Sequence, residues 1–242
     1  MSQQPIIHEL VAKDGTLERP ETFPTRAKSL RQYYDALFRR LGPQSWWPAK
    51  TPFEVIVGAI LTQNTSWSNV ERAIANLRRE RLLTPRSLER VPLLRLAILI
   101  RPSGYFRQKA RKLKAFVRFL RKDYSGSLAR MFQTPTLELR EKLLVVHGIG
   151  PETADSILLY AGQKHVFVVD AYTKRILSRH GWVPEDATYE EMRGLIESEF
   201  PRHVSRYNEF HALLVSVGKN WCRPREPRCF ECPLQPFLEP VK

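Results

Sequence analysis

The chain has 242 residues, 43% of them hydrophobic, enough for one sizeable core or for two modest lobes sharing an interface. Its 39 Lys and Arg against 25 Asp and Glu leave a formal net charge of +14, which points to a polyanionic partner, nucleic acid before an anionic membrane. No apolar run approaches the ~20 residues needed to span a bilayer, no basic segment followed by an apolar one marks a secretory signal, and the only cysteines, Cys222, Cys229 and Cys232, form an odd, clustered set that argues for a reduced compartment and against a disulfide framework.

Residues 1–25 are polar and aperiodic and read as a flexible tail. "AKSLRQYYDALFRRLG" then sets Leu30, Tyr33, Tyr34, Leu37 and Leu41 at helical spacing and stops at Gly42-Pro43. Trp46 and Trp47 precede "TPFEVIVGAILTQ", whose Thr51, Pro52 and Glu54 read as N-cap, first helical residue and capping box. That helix is apolar nearly all round and is expected to be buried. Ser66 is placed to cap the next helix, which begins at Trp67.

"FRQKARKLKAFVRFLRKDY" is amphipathic, with Phe106, Ala110, Leu113, Val117 and Leu120 on one face. Arg107, Lys109, Arg111, Lys112, Lys114, Arg118, Arg121 and Lys122 fill the rest, a solvated basic face suited to DNA. Further helices are expected near 137–146, 151–161, 171–179, 189–199 and 204–221. "HVFVV" (165–169) is strand-like but has no partner run and reads as an extended connection, so the fold class is all-α.

Two features of this chain carry chemistry. Gly148-Ile149-Gly150 breaks one helix and opens another at Pro151. Glycines there permit a tight turn, and the first-turn amides with the helix's positive end make an anion site suited to a DNA phosphate. An ordinary glycine-stopped corner would have the same pattern. Downstream, the buried run "VFVV" delivers Asp170, either an N-cap for "AYTKRILSR", or a carboxylate aimed at bound DNA, or both.

"LLVVHGIGPETADSIL" followed by "VVDAYTKR" resembles the helix-hairpin-helix and catalytic-aspartate signature of the endonuclease III superfamily of DNA glycosylases. "FEVIVGAILTQNTSWSNVERAIANL" and "HALLVSVGKNWCRPREPRCFECPL" resemble its second and third helices and its C-terminal iron–sulfur segment. The resemblance covers roughly residues 28–235 and implies two helical lobes with a DNA-binding cleft between them: 51–163 as a six-helix lobe, and 26–50 plus 164–242 as the second. It implies Asp170 as the catalytic acid, Gly148, Ile149 and Gly150 as the backbone grip, and Asn64, or alternatively Gln63, as the polar side chain that fills the gap left by a flipped base. The position that carries a Schiff-base lysine in bifunctional members is Glu152, which implies hydrolysis without strand cleavage, with Lys164 or Lys174 as the alternative amine.

"WWP", "GAILTQNT" and "RPSGYFRQKA" resemble the 3-methyladenine DNA glycosylase branch. Trp46, Trp47 and Trp67 then become base-pocket residues, since indole faces attract a cationic methylated base, although core or lobe-interface packing would also explain them. The cysteines match three of the superfamily's four 4Fe–4S ligands, and the fourth position is Leu238. Three thiolates with a non-cysteine fourth ligand, a zinc with histidine, or no metal at all remain open. The retained spacing and the flanking Arg223, Arg225 and Arg228 favour a metal loop facing DNA. The expected partner is double-stranded DNA containing damaged bases, with no membrane. The protein is expected as a monomer, cytoplasmic and nucleoid-associated if its source is bacterial or archaeal.

Overall fold

The structure, a computed structural model, describes residues 26–44 and 49–238, with the side chains of 26–29 excepted. The expected tail, Trp46 and Trp47 lie outside the described residues. The described residues form helices and connections with no strand. The helices are α1 (Arg26–Leu41), α2 (Pro52–Leu61), α3 (Trp67–Arg79), α4 (Pro85–Arg90), α5 (Leu93–Leu99), α6 (Phe106–Tyr124), α7 (Leu128–Gln133), α8 (Thr136–Leu144), α9 (Pro151–Ser156), α10 (Ala171–Arg179), α11 (Tyr189–Glu199) and α12 (Val204–Asn220). A π-helical turn, Ile157–Ala161, prolongs α9.

Helix α2 runs through the core, with every residue from Phe53 to Leu61 buried. Thr51 Oγ1 accepts from the Glu54 amide at 3.2 Å, but the expected reciprocal bond is replaced: the Glu54 carboxylate turns to Arg78 of α3. A complete capping box stands at α11, between Thr188 and Glu191. Ser66 precedes α3 without capping it, since its hydroxyl meets Ser68 Oγ at 3.0 Å.

Helix α6 buries Ala110, Leu113, Val117 and Leu120 as its pattern predicts, but it also buries Lys109, which is 2% exposed. The expectation of a uniformly solvated basic face fails at that residue. Its ammonium donates to Leu61 O at 2.9 Å and Ser103 O at 2.6 Å, the hydrogen bonds that permit burial.

The helices pack as two groups. Helices α3, α6 and α9 surround α2, and α4 and α5 rest on α6. In the other group α1 lies on α11 and α12, and α10 packs along α12. Gly218 permits that last approach, because a Cβ there would sit 2.3 Å from the Tyr172 ring. Buried Val166–Val169 connects the groups without joining a sheet, as expected.

A polar network crosses the junction. Arg140 of α8 holds fully buried Asp155 of α9 through two bonds, 2.7 and 3.1 Å, and reaches Glu190 of α11. Tyr189 donates to Asp155 Oδ2 at 2.8 Å and accepts from the Val169 amide at 3.3 Å. Glu197 accepts from the Phe167 amide at 2.8 Å. Both bonds to the connector fix the chain that leads into Asp170.

Candidate functional site

Helix α8 ends at Leu144, and Gly148 turns the chain with φ +82, a conformation that excludes ordinary side chains. Lys112 lies against it, its Cγ 2.3 Å from where a Gly148 Cβ would stand. Buried Ile149 anchors the turn in the core at 4% exposure, and its amide donates to Val146 O at 3.0 Å. Gly150 is the extended N-cap of α9, exposed, with open space where its Cβ would point. The hairpin is therefore held from inside by Ile149 and open on the outside at Gly150, as an approaching phosphate requires. His147, just before the turn, is exposed.

Gln63 is bound into this scaffold. Its amide donates to Gly148 O at 3.1 Å and Thr153 Oγ1 at 2.9 Å, and its carbonyl accepts from Lys112. Its neighbour Asn64 is exposed with φ +52, at the tip of the turn that follows α2. Asparagine tolerates that left-handed region better than most residues.

One residue of this surface was missed in the sequence. Tyr105 is 66% exposed with φ +43, an unfavourable conformation for a bulky side chain. Lys109 joins the carbonyls of Leu61 and Ser103, so the turns bearing Asn64 and Tyr105 are fastened to one ammonium. The signal was present in "SGYF", a glycine followed directly by an aromatic residue at a helix start.

Asp170 caps α10, its Oδ1 accepting from the Thr173 amide at 2.8 Å. Its Oδ2 lies 3.6 Å from His211 Nε2 of α12. Burial alone would raise the Asp170 pKa, but the His211 contact and the Thr173 amide outweigh it and lower it, so the carboxylate is the favoured form. Glu152, in the first turn of α9, keeps an exposed surface, yet its pKa is raised, first by desolvation and then by the negative charge of Asp170, with His211 opposing. Two acids with oppositely displaced ionisation thus lie beside the hairpin. His211 bonds through Nδ1 to the buried Tyr160 hydroxyl. Sequence reasoning missed both His211 and Tyr160, because a single His in an apolar helix carries no spacing signal.

Trp67 is half-buried at the start of α3, with its indole N–H on Glu71 Oε1 at 3.0 Å. The cysteines share one neighbourhood: burial, then Cys222 and Cys229, push the Cys232 thiol up. Among the described residues no group of three or more His, Cys, Asp or Glu is arranged to hold a metal ion. Arg179 Nη1 lies 3.5 Å from Cys222 Sγ and 2.6 Å from Arg223 O, while Arg175 Nε donates to Cys222 O at 2.7 Å. With Leu238 in the fourth position, the donor set does not fit a four-cysteine iron–sulfur cluster, and arginines of α10 hold the loop's carbonyls. Arg223, Arg225 and Arg228 are exposed beside it.

Residues 57–202 match the family described as HhH-GPD superfamily base excision DNA repair protein. The "Putative DNA repair glycosylase MJ1434" of Methanocaldococcus jannaschii is 48% identical over 206 residues, 84% of this chain and 93% of that protein. Endonuclease III of Thermotoga maritima is 31% identical over 188 residues, 78% of this chain and 83% of its own length. The crystal structure of H. pylori 3-methyladenine DNA glycosylase MagIII bound to 1,N6-ethenoadenine superposes with a TM-score of 0.68 at 31% identity, over 80% of this chain and 95% of that one. The helix-hairpin-helix turn, the aspartate beyond it and these similarities agree: the chain belongs to the HhH-GPD superfamily of base excision DNA repair glycosylases.

Proposed function

We propose that this protein is a monomeric, monofunctional DNA glycosylase that flips an alkylated, 3-methyladenine-like base out of duplex DNA and hydrolyses its N-glycosidic bond. The observation that carries the hydrolytic reading is the pairing of Asp170 with Glu152, an anionic acid beside a position that offers no amine. The lesion class rests on the 31% identity to the H. pylori 3-methyladenine glycosylase.

In this reading Gly150 and the first turn of α9 take a phosphate, and Asn64 and Tyr105 enter the stack as the base leaves it. Trp67, with Trp46 and Trp47, stacks on the cationic base. The C1′–N bond breaks with its electron pair departing on the base, so a cationic base leaves neutral and needs no acid. Asp170 stabilises the positive sugar. Water adds its oxygen to C1′ and releases a proton to Asp170 or solvent, leaving an abasic site. Glu152 cannot form a Schiff base, so no strand cleavage follows.

The test uses an end-labelled duplex bearing one methylated base, with wild type and Asp170→Asn, each divided between alkali and no alkali. Cleavage only after alkali, lost in Asp170→Asn, is expected. Cleavage without alkali favours an endonuclease III-like glycosylase-lyase for oxidised pyrimidines or mismatches, a reading supported by the similarity to the Thermotoga maritima enzyme. A non-catalytic DNA-binding protein would cleave nothing, and its duplex affinity would tolerate Asp170→Asn.

A further inference from the structure

His211 is 4% exposed on α12 and Tyr160 is 8% exposed on the π-helical turn after α9. Neither is needed for the phosphate grip, and polar groups buried this deeply require partners. Both of the ring's nitrogens face one. Nδ1 meets the Tyr160 hydroxyl, and Nε2 faces Asp170 Oδ2 at 3.6 Å, an ion-pair distance slightly beyond a hydrogen bond. The Phe167 ring stands edge-on to the imidazole at 6.2 Å between centroids, closing another side.

The tautomer follows from these partners. A ring with a bare Nε2 would aim a lone pair at a carboxylate, which is repulsive. A neutral ring therefore carries its proton on Nε2 and accepts the Tyr160 hydroxyl at Nδ1. A charged ring keeps Nε2–H and donates to the Tyr160 oxygen. In both states Nε2–H points at Asp170. The π turn has a wider hydrogen-bonding period than an α-helix, and such turns are often found where a side chain must be re-aimed at a site. Here the turn holds Tyr160 against α12, so the imidazole is clamped from one helical group onto an acid delivered by the other.

We propose that His211, oriented by Tyr160, is a positioning residue that holds the Asp170 carboxylate in place and in its anionic form during base excision. The proposal rests on the catalytic reading of Asp170. Two acids act on the imidazole, Asp170 at the start of α10 and Glu152 on α9, and the Nε2–H presents its positive end to Asp170.

Single-turnover excision is measured across pH for wild type, His211→Gln, Tyr160→Phe and Asp170→Asn, with duplex affinity and thermal melting as controls. His211→Gln is expected to keep duplex affinity, to lose about ten-fold in rate, and to move the acidic limb of its profile up by about one pH unit, the scale of losing the Nε2–H that faces the carboxylate. Tyr160→Phe moves the limb the same way by less. An unshifted limb in His211→Gln reduces His211 to packing and overturns the proposal. Should His211→Gln fail to fold, Tyr160→Phe and the ¹⁵N spectrum of the wild-type imidazole decide: a neutral ring protonated on Nδ1 also overturns it. An active Asp170→Asn would instead sink the catalytic reading, and the imidazole spectrum would still accept or reject the pairing.

Discussion

The two hairpin glycines make different demands on a side chain, and the difference separates folding from DNA contact. At Gly148 the backbone has φ +82 and a Cβ would enter the Lys112 stem. At Gly150 φ is −92, which any residue adopts, and the added carbon would meet nothing in the protein. Gly148→Ala is therefore expected to lower stability by about 1–2 kcal/mol, the cost of a left-handed alanine, and more if Lys112 cannot yield. Gly150→Ala is expected to change stability by less than about 0.5 kcal/mol, yet to weaken duplex binding, because its methyl occupies the space that a phosphate would fill. Urea denaturation and fluorescence anisotropy with a labelled duplex measure the two effects. Unchanged duplex affinity in Gly150→Ala would remove the hairpin's outer face from the DNA contact.

At the scale of elements, what could be read in the sequence follows from length and period. Helix α2 was readable because it is apolar all round and opens on Thr-Pro, and α6 because it repeats its apolar face over nineteen residues. The hairpin and Asp170 were readable because glycine, proline and an acid after a buried run are local signals. Helices α4, α5 and α7 have six or seven residues each, too few to display a helical period, and were not anticipated. Lys109 shows the other limit: its burial depends on carbonyls of Leu61 and Ser103 that lie 48 and 6 residues away along the chain. Burial, with a smaller effect from Lys112, lowers its pKa from 10.5 to about 8. Between those values the unfolded chain holds the proton more tightly, so unfolding free energy rises with pH. The contribution is complete above the unfolded value and is lost as pH falls through about 8. In Lys109→Met the two carbonyls lose their donor, which costs about 1–3 kcal/mol, but a buried charge disappears, so the two effects oppose near neutrality. Thermal melting from pH 7 to 10 is expected to show wild type gaining on Lys109→Met as pH rises. A constant difference would mean that the lysine titrates as it does in water.

For the whole molecule, the question is how two helical groups hold one acid in register with one hairpin. Apolar packing alone is tolerant of small slides, whereas the network around Asp155 is directional. Asp155 carries no exposed surface, and burial pushes its carboxyl up against the opposing pull of Arg140, Tyr189 and Arg193. The pair is thus costly to bury and depends on every partner being present. Through Tyr189 the same network takes the Val169 amide, one residue before Asp170. Asp155→Asn leaves Arg140, among the described residues, with the half-exposed Glu190 as its remaining carboxylate partner and is expected to cost about 3 kcal/mol, the lower end for breaking a buried ion pair. The excision rate should fall by more than duplex affinity, because the hairpin's outer face is untouched while the connector leading to Asp170 loses an anchor. Urea denaturation with single-turnover excision and duplex binding tests both parts. A variant that loses stability but excises at the wild-type rate while folded would show that packing of Val166–Val169 alone sets the position of the acid.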